Sequence, residues 1–161
     1  MAKIKTIIID DEVHARAALR GVVEESMVEV EILDEAKNLP DGIKLIKKYA
    51  PDVVLLDIEM PEYSGLEILD FFKEEEVEFK IIFVTAYNQY ALNAFQLSAV
   101  DYIVKPVQLE DLKRAFKKVN AHNSGNLRAL KSILDDTKDK KIILNVNGAQ
   151  EIIEVNDIVY I

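Results

Sequence analysis

The sequence predicts an α/β fold, a doubly wound parallel sheet of five strands, and three observations carry that prediction. Short apolar runs rich in β-branched residues recur at residues 7–9, 53–56, 81–84 and 102–104, each too short for a helix. Segments with apolar residues at helical spacing lie between them. The two patterns alternate regularly, which calls for crossover connections and a sheet covered on both faces.

Taken in order, residues 7–9 form a first buried strand, and Ala15, Leu19 and Val22 then share a stripe at i, i+4, i+7. Residues 28–33 alternate with Glu29 and Glu31, as expected of a strand near a sheet edge with one wetter face. After the strand at 53–56, Ser64 and Glu67 can form a capping box ahead of Leu66, Ile68, Leu69 and Phe72. The runs at 81–84 and 102–104 supply two further strands. Leu109, Leu112, Phe116 and Val119 make the last helical stripe of this region.

The remaining residues read differently. Residues 121–126 hold His, Asn, Ser and Gly and break the helical pattern, and Leu127, Leu130, Ile133 and Leu134 then suggest a short amphipathic helix. Residues 135–141 are a charged connector. Strand-like runs at 142–146 and 150–155 flank Asn147-Gly148, a strong two-residue hairpin signal, and 158–161 is strand-like again. The expected division is therefore 1–121, a complete α/β domain; 122–140, a linker with a short helix; and 141–161, a short β-rich fragment of a further domain.

Composition narrows the function. Half of the 161 residues are hydrophobic and 30% are charged, which excludes global disorder and collagen-like structure. The formal net charge of −9 argues against an extensive basic surface for nucleic acid. With no cysteine, disulfides, thiolate nucleophiles and Cys-ligated zinc are excluded. No apolar stretch has membrane-spanning length and the N-terminus lacks a signal-peptide core, so a cytoplasmic protein without membrane contact is expected.

Chemistry concentrates where the central runs end. Asp10 and Asp11 follow the first run, Asp57 the run at 53–56, Thr85 the run at 81–84 and Lys105 the run at 102–104. The carboxyl edge of an open parallel sheet is where ligands bind, so these side chains converge on one site. Singly, each is as easily a cap, a turn residue or an exposed lysine. Three clustered carboxylates require counter-charge, and a divalent cation with Lys105 balances them. Oxygen-only donors favour Mg²⁺. An aspartate beside such a cation can attack a phosphoryl group, with Lys105 and the Thr85 hydroxyl meeting its oxygens.

Asp10-Asp11, Asp57, Thr85-Ala86 and Lys105-Pro106, in this order and spacing, resemble the receiver domain of two-component response regulators over residues 3 to 120. The resemblance implies a flavodoxin-like sheet of order 2-1-3-4-5. It also implies Asp57 as phosphoacceptor, and Mg²⁺ held by Asp10, Asp11, Asp57 and the Glu59 backbone carbonyl. Further implications are a cis Lys105-Pro106 bond, Thr85 and Tyr102 as the switch pair, and Glu59, Ala86 and Tyr87 controlling phosphoryl lifetime and access. The implied partners are a histidine kinase and a second copy bound through the fourth helix, fifth strand and fifth helix.

The segment 88–95 with 99–102, together with 141–161, is similar to LytTR-type (LytR/AlgR-like) transcriptional regulators, which implies a truncated output domain and DNA binding only through the full-length output domain. Such a switch catalyses only its own phosphorylation and dephosphorylation and is no enzyme in the ordinary sense. Two other readings share these residues: a phosphohydrolase with an aspartate nucleophile and Glu59 as general acid, and a non-phosphorylated interaction module.

Overall fold

The computed structural model describes residues 2–121 and, by their backbone, 141–146 and 149–154. In chain order the elements are β1 (Ile4–Ile9), α1 (Val13–Ser26), β2 (Val30–Ala36), α2 (Leu39–Tyr49), β3 (Val53–Leu56), the 3-10 helices η1 (Gly65–Phe71) and η2 (Glu74–Glu76), β4 (Lys80–Thr85), α3 (Ala91–Gln96), β5 (Asp101–Val104) and α4 (Leu109–Ala121). The five strands form one parallel sheet in the order β2-β1-β3-β4-β5. This is the expected flavodoxin-like order, with the Glu-containing strand at one edge.

The continuous apolar runs reflect burial on both faces. Ile7, Ile9, Val54, Leu56, Ile81 and Phe83 face α2, η1 and α3. Their neighbours Ile8, Val53, Leu55, Ile82 and Val84 face α1 and α4. Period-two alternation thus divides each strand between two cores.

Several local expectations shift. The second strand begins at Val30, not 28: Val28 is 82% exposed in the turn that Val30 N closes by donating to the Met27 carbonyl. It then runs on through the polar Asp34 and Glu35, because pairing with Ile7 and Ile8 carries them. In α1 the buried stripe is Leu19 and Val23, with Val22 at its margin. The Ser64–Glu67 capping box is present, with the Ser64 amide donating to Glu67 at 2.7 Å, but the helix that it opens is 3-10. In that geometry Leu66 and Leu69 eclipse one another, and both reach the core together with Phe72, the extended residue that ends the helix. The run at 102–104 is not wholly buried, since β5 is the other edge and Val104 is 42% exposed.

Backbone segments β6 (Lys141–Val146) and β7 (Ala149–Glu154) pair antiparallel with Val146 opposite Ala149, as the Asn-Gly signal requires. The helix expected within 122–140 and the strand expected at 158–161 lie outside the described residues. No helix among the described residues is long and apolar enough to cross a membrane.

Candidate functional site

Four strand ends build the site. Asp10 follows β1 and is 3% exposed, Asp57 follows β3 and is 5% exposed, and Thr85 closes β4 fully buried. One carboxylate oxygen from each of Asp10, Asp11 and Asp57 lies within 4.8 Å of the others, with Asp11 accessible to solvent. Lys105, just past β5, spans the two buried acids: its Nζ is 2.6 Å from Asp10 Oδ2 and 3.4 Å from Asp57 Oδ2.

Backbone geometry holds the carboxylates. The Asp57 amide donates to the Ile9 carbonyl at 2.9 Å, and the Ile58 amide donates to Asp57 Oδ1 at 2.8 Å. Asp10 Oδ1 accepts from the Glu12 amide at 2.9 Å. Lys105 is fixed by its amide, which donates to the Thr85 carbonyl at 2.8 Å, and is followed by the expected cis bond to Pro106.

These surroundings set the ionisation. Burial pushes the Asp57 carboxyl above its ordinary range; Lys105 opposes this and the Asp10 charge reinforces it. For Lys105, burial works to lower the pKa, but the Asp10 and Asp57 carboxylates outweigh it and hold the ammonium above its usual value. Three carboxylates against one lysine leave an excess of negative charge, and a donor set made only of carboxylate oxygens fits a hard divalent cation such as Mg²⁺.

The mouth is aromatic. Ala86, next after Thr85, is exposed and carries only a methyl side chain. Tyr87 is 42% exposed, and its amide donates to Thr85 Oγ at 3.4 Å. The Tyr102 ring lies 6.5 Å from that of Phe83, and its hydroxyl donates to the Tyr87 carbonyl. Burial is the main reason its pKa is pushed up to about 12. The Glu59 side chain accepts a 2.6 Å hydrogen bond from the Tyr90 hydroxyl, joining the loop after β3 to the loop after β4.

Asp10, Asp11, Asp57 and Lys105 thus meet at this edge, with Thr85, Tyr87, Tyr102 and the Glu59 side chain in the hydrogen bonds beside it, but two residues that shape it escape notice in the sequence. Tyr90 enters the sequence reading only within the 88–95 segment of the LytTR-type resemblance, and only the fold sets it against Glu59. Gly65 packs against the backbone that carries Asp57: a Cβ there would sit 2.1 Å from the Asp57 carbonyl oxygen. Its amide donates to the Ile58 carbonyl at 2.8 Å. A glycine at the start of a capped helix is the one sequence signal that could have marked it.

Sheet order and acidic edge together define a flavodoxin-like α/β domain that gathers three carboxylates and a lysine at the carboxyl ends of its strands. The chain belongs to the response regulator receiver domain family, whose pattern matches residues 6–117. It is 34% identical over 161 residues to the sensory transduction protein LytT of Bacillus anthracis, covering 98% of this chain and 65% of that protein. It is 41% identical over 127 residues to the positive alginate biosynthesis regulatory protein of Pseudomonas aeruginosa, covering 79% of this chain and 51% of the relative. The chain therefore spans between half and two thirds of these relatives' lengths. Likeness to LytT extends past residue 121, in keeping with the LytTR-type resemblance. Among solved structures, the response regulator TrrA of Thermotoga maritima, in complex with Mg²⁺-BeF, superposes with a TM-score of 0.61 at 32% identity, covering 74% of this chain and 99% of that one.

Proposed function

We propose that this chain is the phosphoacceptor switch of a two-component system, taking a phosphoryl group from a histidine kinase onto Asp57. The observation that carries the reading is the contact of Lys105 with both buried acids of a three-carboxylate cluster. Asp57 Oδ2, which faces Lys105, is the attacking oxygen. It forms a bond to phosphorus as the bond from phosphorus to the donor histidine nitrogen breaks, and that nitrogen keeps the electron pair. Lys105 and the Thr85 hydroxyl receive the equatorial oxygens as negative charge spreads over them.

Asp10, Asp11, Asp57 and the Glu59 carbonyl would hold Mg²⁺, which when bound supplies charge neutralisation of the phosphoryl oxygens. Once Thr85 engages the phosphoryl group, its hydrogen bond from the Tyr87 amide is lost. The 86–90 loop and the Tyr102 hydroxyl bound to it then favour a second arrangement. That change reaches the surface of α3, β5 and α4, the fourth helix, fifth strand and fifth helix when η1 is counted as the third; this surface is the proposed contact with a second copy. Residues 1–121 form the receiver, 122–140 a linker and 141–161 the opening of a LytTR-like domain. DNA binding belongs to the full-length output domain, through which the switch regulates transcription in the cytoplasm.

The test is treatment with a small acyl phosphate and Mg²⁺, followed by intact-mass spectrometry and mapping of the labelled residue. One phosphoryl group on Asp57, absent without Mg²⁺, is expected. An Asp57→Ala protein labelled to one equivalent would overturn the assignment, and repeated turnover of an external phosphoester would identify a hydrolase instead.

A further inference from the structure

The turn that carries Asp10 and Asp11 connects β1 to α1, and α1 begins without a side-chain cap: Glu12, at the N-cap, makes no capping hydrogen bond and the first turn holds no acidic residue. What reaches back to this turn is Arg16. Its Nη1 donates to the Asp10 carbonyl at 2.6 Å, while its Nε donates to Glu35 Oε1 at 3.3 Å. The guanidinium is largely buried, with 13% of the side chain exposed. Glu35, on the edge strand β2, is shared: its other oxygen accepts from Arg20 Nε at 3.0 Å. Arg20 therefore belongs to the same ionic group without touching the turn.

We infer that Arg16 is a positioning residue for divalent-cation binding, clamping the Asp10 carbonyl so that the Asp10 and Asp11 carboxylates are presented together. The inference rests on the phosphoacceptor reading of the site and adds a residue outside its reacting groups. The planar guanidinium is suited to this because one nitrogen holds Glu35 while another holds the carbonyl, a fork that an ammonium cannot reproduce.

Charge and position make opposite predictions, which gives the inference its test. Arg16 is a positive charge near a cation site, so removing it should tighten Mg²⁺ binding if electrostatics alone mattered. If Arg16 acts by holding the turn, removal weakens binding, and loss of outer partners in metal sites commonly costs about 10-fold or more in affinity. Mg²⁺ affinity is measured by calorimetric titration of the whole chain for wild type, Arg16→Gln, Arg16→Lys and Arg20→Gln, with melting temperature in the absence of Mg²⁺ reporting folding.

The expected result is a loss of about 10-fold for Arg16→Gln, a comparable loss for Arg16→Lys despite its retained charge, and a near wild-type value for Arg20→Gln. Phosphorylation of the Arg16 variants should then recover at high Mg²⁺, since the reacting groups are intact. Unchanged or tighter binding in Arg16→Gln overturns the inference, and so does an equal loss in Arg20→Gln, which would mark a general effect of α1 stability. If Arg16→Gln does not fold, Arg16→Lys decides by the same criteria. Wild-type protein that binds no Mg²⁺ overturns the underlying reading, and the inference with it.

Discussion

Replacing Lys105 with Met keeps length and apolar stem but removes the charge that two buried acids share. Lys105 Nζ stands 2.6 Å from Asp10 and 3.4 Å from Asp57, whose side chains are 4% and 7% exposed. At an effective dielectric of about 20, each attraction is worth several kcal/mol before desolvation is counted. Removing one partner of a buried pair generally costs about 3–5 kcal/mol, because the other charge is left stranded. Lys105 keeps 19% of its side chain in water, which favours the lower end, about 3 kcal/mol. For a domain of this size that corresponds to a melting temperature lower by about 10 °C at neutral pH without Mg²⁺.

The sign with pH follows. Losing Lys105 removes the influence that holds the Asp57 carboxyl down against burial, so its folded pKa climbs further above the unfolded value. A raised carboxyl pKa costs stability once pH exceeds it and costs nothing below the unfolded value. The gap between variant and wild type therefore narrows as pH falls through the raised folded pKa towards the unfolded carboxyl value of about 4, and it also narrows in excess Mg²⁺. Thermal melts followed by circular dichroism read both. A melting temperature within about 2 °C of wild type, or a gap independent of pH, would refute the claim that Lys105 is the counter-charge of this cluster.

Other outcomes follow from the same geometry. Mg²⁺ at about a hundred times its dissociation constant should stabilise the wild type by about 2.7 kcal/mol in thermal melts, and Asp11→Ala should lose most of that gain. Gly65→Ala places a methyl 2.1 Å from the Asp57 carbonyl oxygen, so urea denaturation should show a loss of about 1–3 kcal/mol and acyl-phosphate labelling of Asp57 should slow. Tyr102 has its pKa pushed up to about 12. Its folded-state value lies above the unfolded one near 10, so its contribution is complete below pH 10 and is lost as pH rises towards 12. Tyr102→Phe should cost about 1 kcal/mol at neutral pH through the lost bond to the Tyr87 carbonyl and should remove one late-titrating phenol from the ultraviolet pH profile.

Much of this molecule was legible before folding was considered. Strand runs such as 53–56 are apolar throughout because both faces of a central parallel strand are buried, and that is a property of composition. Asp57, Thr85 and Lys105 stand directly after such runs, so strand ends announce the site. The Ser64–Glu67 box is likewise local, closed between neighbours along the chain.

What depended on tertiary structure is what pairs residues far apart in sequence. Asp34 and Glu35 lie past the strand expected at 28–33, yet parallel pairing with Ile7 and Ile8 makes them strand. The contact of Lys105 with Asp10 crosses 95 positions, and Arg16 meets Glu35 only because α1 packs beside β2. Gly65 is marked locally only as a glycine at the start of a capped helix, which does not name the Asp57 backbone as its neighbour, and Tyr90 carries no local sign of the Glu59 carboxylate that it meets. The sequence by itself determined which segments are buried and which chemical groups end the strands, since both follow from periodicity and residue type. Only the tertiary structure decided distances, charge partners and the turns that hold the carboxylates, because those depend on crossover connections bringing separate strand ends to one edge.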